Sequence, residues 1–170
     1  MIKTGHLFCF FDIKIGGELA SRQIIVELFS DAASCPKTCM NFLDLCNADE
    51  GIGYKGTKFH RVVKNGWVQG GDVQGASQYI PDENFMITFG SCAGMLGLAN
   101  EGDVHTNQTQ FFFTLKPLPS FDGKYVALGR IVSGFDTVLS IASSDTVNEV
   151  PVLDCTVADC GTFIVLDHWY

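Results

Sequence analysis

Phe59-His60-Arg61-Val62-Val63-Lys64-Asn65-Gly66-Trp67-Val68-Gln69-Gly70-Gly71-Asp72 is the segment around which the chain is organised. Apolar and polar residues alternate across it, with Val at 62, 63 and 68. That pattern predicts two short strands broken by a turn at Asn65-Gly66. Arg61 and Gln69 flank the turn, so a hairpin brings them near one another on a common concave face. Gly70-Gly71 leaves backbone amides unshielded and bends the chain. Composition alone reads the same residues as an ordinary hairpin with Arg61 as a solvated rim charge.

The segment resembles the signature of the cyclophilins, the peptidyl-prolyl cis-trans isomerases: Phe-His-Arg, a short apolar turn, then Gln-Gly-Gly-Asp. The spacing from Arg61 to Gln69 matches without a gap, which is far more specific than a lone Gly-rich loop. Where the family usually has Pro-Gly-Phe-Met, this chain has Lys64-Asn65-Gly66-Trp67. With Cys35-Pro36-Lys37-Thr38-Cys39 upstream, the Asn-Gly-Trp variant is similar to a divergent branch of isomerase-like cyclophilins.

The 170 residues suit one domain, taken as 1–170 with a core of about 6–163 and a tail at 164–170 that has no clear counterpart in the family. Hydrophobic residues make up 46% and charged residues 18%, which excludes a disordered chain, and fourteen Phe predict a core filled by rings. The net charge of −8 argues against general affinity for nucleic acid or anionic membrane. The apolar run Leu7–Phe11 is cut by Asp12 and Lys14, far short of a membrane span or a secretory leader. Seven Cys are read as reduced thiols, giving a cytoplasmic setting with the nucleus not excluded. Zinc at Cys35, Cys39 and Cys46 is the sharper alternative, but neither a Cys-x-x-Cys pair nor a nearby His completes a site, so no metal is expected.

Elsewhere, residues 7–15 and 22–29 read as a hairpin turned at Gly16-Gly17. Pro36 opens a helix whose Cys39, Phe42, Leu43 and Cys46 form one buried stripe, ended by residues 47–51. Its expected role is to plug an open barrel end. Residues 95–100, 105–115, 126–132 and 152–163 read as strands, and Phe135, Val138, Leu139 and Ala142 mark a second helix. The resemblance covers nearly the whole chain and implies an all-β-dominated fold, an eight-stranded antiparallel closed β-barrel capped by two α-helices. Small barrels are filled by side chains, so a binding groove belongs on the outer wall.

The resemblance also implies the site. Arg61, Gln69 and Phe112 take the catalytic positions, with Phe112 flooring the proline pocket. Trp67, Ala99, Asn100, Glu101, Gln110, Phe121 and Tyr125 take substrate-binding positions. The Ala99-Asn100 pair lines a groove for peptide backbone, and Glu101 stands where a small residue is usual, narrowing the groove or adding charge. Between Val73 and Pro81 the family's Gly-rich loop is shorter by about nine residues, a change that loop entropy tolerates but that alters a wall of the groove. Trp67 replaces Met and either covers or walls the proline site; Ser120 replaces Trp, Phe121 replaces Leu and Tyr125 replaces His. Loss of that Trp predicts weak cyclosporin binding.

Rotation about an X–Pro bond faces a resonance barrier of about 18–20 kcal/mol and breaks no bond, so neither nucleophile nor cofactor is needed. A fixed guanidinium aimed at the pyramidalising proline nitrogen favours the twisted amide over either planar form. Arg61 is the candidate, with Gln69 expected to hold its fork. Cys92 with His60 or His105 lacks the third group of a nucleophilic site, and Gly70-Gly71-Asp72 lacks the Gly-Lys-Ser/Thr of a phosphate loop. Two functions remain: a monomeric isomerase acting on proline-containing peptides or proteins, and a non-catalytic or weakly active proline-peptide binding module using the same groove.

Overall fold

The computed structural model describes residues 5–31 and 33–166. Eleven strands, β1 (Gly5–Ile15), β2 (Glu18–Leu19), β3 (Ile24–Leu28), β4 (Phe59–Val63), β5 (Trp67–Gly70), β6 (Met95–Leu98), β7 (Phe111–Thr114), β8 (Ala127–Ser133), β9 (Thr146–Val147), β10 (Val150–Pro151) and β11 (Cys155–Leu166), accompany two helices, α1 (Pro36–Asn47) and α2 (Phe135–Ala142). Eight of the strands form one antiparallel sheet in the order β11-β1-β3-β8-β6-β7-β5-β4, and β2 pairs with β1 at its side. The sheet curls as expected, but closure is only partial. Among the described residues its end strands meet at the bridge Lys58–Thr156 and at backbone bonds between Val157 and residues 56 and 57. Farther along β4, the outer edge is taken instead by the β9–β10 turn, where Val62 N–H donates to Glu149 O at 2.7 Å.

Rings fill the inside of the curl. Phe11, Phe42, Tyr54, Phe59, Phe111 and Phe113 are buried together, with Tyr54 5.0 Å from both Phe42 and Phe111. The Tyr54 hydroxyl donates to Thr109 O at 2.7 Å, which meets the requirement that a buried polar group be paired. Gly71 lies against this cluster. An added Cβ there would come within 2.5 Å of the Phe111 ring, and its φ of 78° is left-handed. Gly70 and Gly71 are both buried, so these glycines serve close packing, and the expectation of unshielded amides is corrected.

Pro36 opens α1 as expected, and Thr38, Cys39, Phe42, Leu43 and Cys46 form its buried face. Cys35 precedes the helix without a side-chain cap. Glu83 supplies the cap from another loop, its carboxylate accepting the N–H groups of Lys37 at 3.1 Å and Thr38 at 2.9 Å. Burial works against ionisation of Glu83, but those backbone donors prevail and hold its carboxyl below the ordinary value.

Other elements differ from the sequence reading. In α2 the buried residues are Thr137, Val138 and Ile141, while Leu139 is exposed, because the Thr137 hydroxyl turns inward to donate to Arg22 O at 2.7 Å. The expected 105–115 strand is confined to Phe111–Thr114. Upstream of it, His105 has a φ of 59° and Asn107 Nδ2 donates to Ile80 O and Asp82 Oδ1, so this segment follows side-chain anchors and leaves the ladder. Residues 164–166, read as tail, extend β11 and pair with residues 5–7 of β1. The rest of that tail, 167–170, lies outside the described residues.

Candidate functional site

Strand alternation makes the site. Phe111 and Phe113 point into the curl, so Phe112 between them points out of it. There it packs in a second cluster with Phe89, Met95, Leu118 and Ala127, rimmed by Trp67, Phe121 and Tyr125. Phe121 and Tyr125 stand edge-on to Phe112 at 5.4 and 5.5 Å, and Trp67 lies 5.1 Å from Phe121. These rings build an apolar wall of defined geometry, with Phe112 buried behind Trp67, Phe121 and Tyr125.

A bulge delivers Arg61 to the same face. β4 pairs Phe59 with Gly70 and Arg61 with Gln69, so His60 is an extra residue in the ladder. In regular alternation Arg61 would follow Phe59 inward; the bulge turns it outward and sends Val62 into the core. The Arg61 guanidinium carbon lies 5.3 Å from the centre of the Trp67 ring, a cation–π contact. Nε of Arg61 donates to Glu149 Oε2 at 2.6 Å.

Gln69 was expected to hold the guanidinium, and that expectation is corrected. Its carbonyl accepts the Trp67 indole N–H at 3.2 Å, and its NH₂ donates to Gln110 Oε1 at 2.9 Å. Glu149, which the sequence reading missed, is the partner of Arg61. The signal available was Asn148-Glu149 between Val147 and Val150, a two-residue turn, but its nearness to Arg61 is a tertiary fact. Phe89 was also missed; it lies 5.5 Å from Phe112.

Beyond Gln69 and Gln110 a groove of about 90 Å³ opens between Ala99, Asn100, Glu101, Thr106 and Gln108. Asn100 uses its side chain internally, donating to Lys124 O and accepting from Gly102 N–H. No internal hydrogen bond to its main-chain groups is made among the described residues. Glu101 accepts the Tyr79 hydroxyl at 2.7 Å, and this bond, followed by the charge of Glu101, raises the phenol above its ordinary value. Glu101 has no Lys or Arg within ion-pair distance among the described residues, so its charge is available at the groove mouth. Ser120 is exposed in the 3₁₀ turn Pro119–Phe121, beside the pocket wall.

A cavity of about 450 Å³ lies apart from these residues, between Glu50, Lys55, Lys58, His60, Asp72 and Gln74. It includes neither Arg61 nor Phe112, and the converging rings, amides and guanidinium mark the outer face as the better candidate. Cys35 and Cys39 have sulfurs 3.9 Å apart in the core, whereas Cys46 lies at the far end of α1 with Cys160 Sγ against its carbonyl. Among the described residues, no three His, Cys, Asp or Glu side chains are arranged to hold a metal ion.

Residues 10–162 match the family model described as "Cyclophilin type peptidyl-prolyl cis-trans isomerase/CLD". The chain belongs to the cyclophilin family. Among relatives, it is 42% identical over 174 residues to the mouse "Probable inactive peptidyl-prolyl cis-trans isomerase-like 6", covering 93% of this chain and 54% of that protein. To the human protein of the same name it is 40% identical, with 93% and 54% covered. To the human "NK-tumor recognition protein" it is 43% identical over 171 residues, covering 90% of this chain and 11% of that protein. The chain thus spans about half the length of the isomerase-like relatives and a small part of the other. Trp67, Ser120 and Tyr125 lie in or beside the ring cluster described above, and Glu101 lies at the groove.

Proposed function

We propose that this cyclophilin domain catalyses cis–trans interconversion of X–Pro bonds in peptides and folding proteins. The supporting observation is Arg61 standing over Trp67 beside the ring cluster of Phe112, Phe121 and Tyr125. Phe112, Phe121 and Tyr125 hold the proline ring, while the Ala99-Asn100 segment, Glu101 and Gln110 receive the flanking chain. Gln69 fixes the pocket wall by joining Trp67 to Gln110. Twisting the amide localises a lone pair on the proline nitrogen, and the Arg61 guanidinium donates to it. The interaction is strongest in the twisted state, which is what accelerates rotation. A rate gain near 10⁵ requires only about 7 kcal/mol at the transition state, within reach of one oriented cation and a shaped pocket.

In this reading residues 1–170 act as one monomeric domain in a reducing compartment, cytoplasmic or nuclear, without nucleic acid, membrane or cofactor. Among the described residues no helix is long and apolar enough to cross a membrane. The charge of Glu101 favours clients with basic residues near the proline.

A second reading, a proline-peptide binding module of little or no activity, is favoured by the words "Probable inactive" in two relatives' names and by the Tyr125 and Glu101 departures. Exchange NMR on several X–Pro peptides separates the two. Isomerase function predicts enhanced exchange that falls by roughly a hundredfold in Arg61→Ala, with thermal stability nearly unchanged because the side chain is exposed. Peptide binding without enhanced exchange would leave the module reading; equal activity in Arg61→Ala would remove the electrostatic role.

A further inference from the structure

Arg61 is held by a turn built with an unfavourable residue. β9 and β10 pair Val147 with Val150, leaving Asn148 and Glu149 as a two-residue loop. Both have positive φ, 50° and 67°. Such loops favour Asn first and Gly second, because only Gly reaches the second position without strain. Here the second residue is Glu, and it is fastened to β4 twice. Its carbonyl accepts Val62 N–H at 2.7 Å, and its carboxylate accepts Arg61 Nε–H at 2.6 Å. Strain maintained at one side chain that reaches a functional cation points to a role for that side chain.

We infer that Glu149 is a positioning residue for Arg61, an inference that rests on the isomerase reading for its catalytic consequence. Binding through Nε fixes one edge of the planar guanidinium and leaves both Nη groups, with four N–H donors, for the substrate. Trp67 supports the cation on the ring face. With a carboxylate at its edge and an indole below, the fork loses its freedom to rotate about its last torsions. The pair is about half exposed, 45% for Arg61 and 47% for Glu149, so its contribution lies in orientation more than in stability.

Two variants separate orientation from folding. Glu149→Gly removes the carboxylate and relaxes the turn, so the fold is preserved or stabilised. Glu149→Gln keeps an acceptor for Nε–H. In Glu149→Gly, kcat for X–Pro exchange falls about tenfold with little change in KM, and Glu149→Gln recovers most of the loss. The NMR resonance of the Arg61 Nε–H, assigned by its absence in Arg61→Ala, is protected from exchange in the wild type and in Glu149→Gln and is lost in Glu149→Gly. A resonance still protected in Glu149→Gly overturns the clamp. A lost resonance with unchanged kcat overturns the positioning role. If the wild type accelerates no peptide, the isomerase reading fails by itself, and the resonance alone decides whether Glu149 holds Arg61.

Discussion

Gln69 and Gln110 are joined side chain to side chain across β5 and the residue preceding β7, Nε2 of Gln69 donating to Oε1 of Gln110 at 2.9 Å. Since the other end of the Gln69 amide accepts the Trp67 indole N–H, one side chain couples the Trp67 ring to the groove lined by Gln110 and Ala99. Gln69 is therefore a brace for the surface on which Arg61 rests.

Replacing Gln69 by Leu keeps the volume and leaves the Trp67 N–H and the Gln110 carbonyl unpaired. Each lost bond is worth about 0.5–1.5 kcal/mol. The expected result is a fall in kcat/KM of about tenfold, with a small decrease in stability. Exchange NMR and thermal unfolding measure the two effects separately, and unchanged kcat/KM would mean that the brace has no part in catalysis.

Glu83 makes stability depend on pH. Its folded carboxyl lies below the ordinary value of 4.5, so its contribution is present above that value and is lost as pH falls through the lower folded value. Glu83→Gln mimics the neutral acid at the α1 N-terminus. Urea unfolding should show the variant about 0.5–1 kcal/mol less stable at pH 7. The gap should narrow below pH 4.5 and close in stronger acid. A gap independent of pH would exclude the charged cap.

Gly71→Ala tests the packing of the ring core. The new Cβ meets Phe111 Cδ1 at 2.5 Å and Tyr54 Cε1 at 2.9 Å, and both rings are fully buried. Left-handed φ adds backbone strain to the clash. A loss of about 2–4 kcal/mol is expected from the denaturant midpoint. A loss under about 1 kcal/mol would show that the core rearranges around the methyl group.

Cyclosporin should bind weakly. The exposed Ser120 offers a short hydroxyl beside Phe121 where the usual cyclophilin has a Trp with a broad apolar face. At roughly 25 cal/mol per Å², losing part of such a face costs a few kcal/mol, about a hundredfold in affinity. Titration calorimetry on the wild type and Ser120→Trp decides the matter: the Trp variant should gain affinity, and tight binding by the wild type would sink the idea.

The hairpin around Asn65-Gly66, the Pro36 start of α1, the Phe-rich core and the outward Phe112 were legible in the sequence. Alternation and helical spacing are local, so each residue's face follows from its neighbours in the chain. The nearness of Arg61 and Gln69 was legible but their register was not: a two-residue turn at Asn65-Gly66 would set Arg61 opposite Gly70, whereas Val63 pairs with Trp67 across a three-residue loop and Arg61 comes to face Gln69. What local pattern omits is a bulge: the four letters Phe-His-Arg-Val do not say that His60 is the extra residue, yet that displacement puts Arg61 on the pocket side and Val62 in the core.

Contacts between distant segments were decided by the tertiary structure alone. Glu149 lies 88 residues from Arg61, and Glu83 lies 45 from Thr38. Both pairings depend on where the curled sheet carries its loops. Incomplete closure has the same origin, since the β9–β10 turn takes the part of the β4 edge that β11 does not reach. Short-range periodicity and the match to a family signature singled out Phe112, Trp67, Phe121, Tyr125 and Arg61 from the sequence, but not Phe89, which the fold brings against Phe112. Only the folded chain decided what holds that cation, because a carboxylate's reach is set by the three-dimensional path of the backbone.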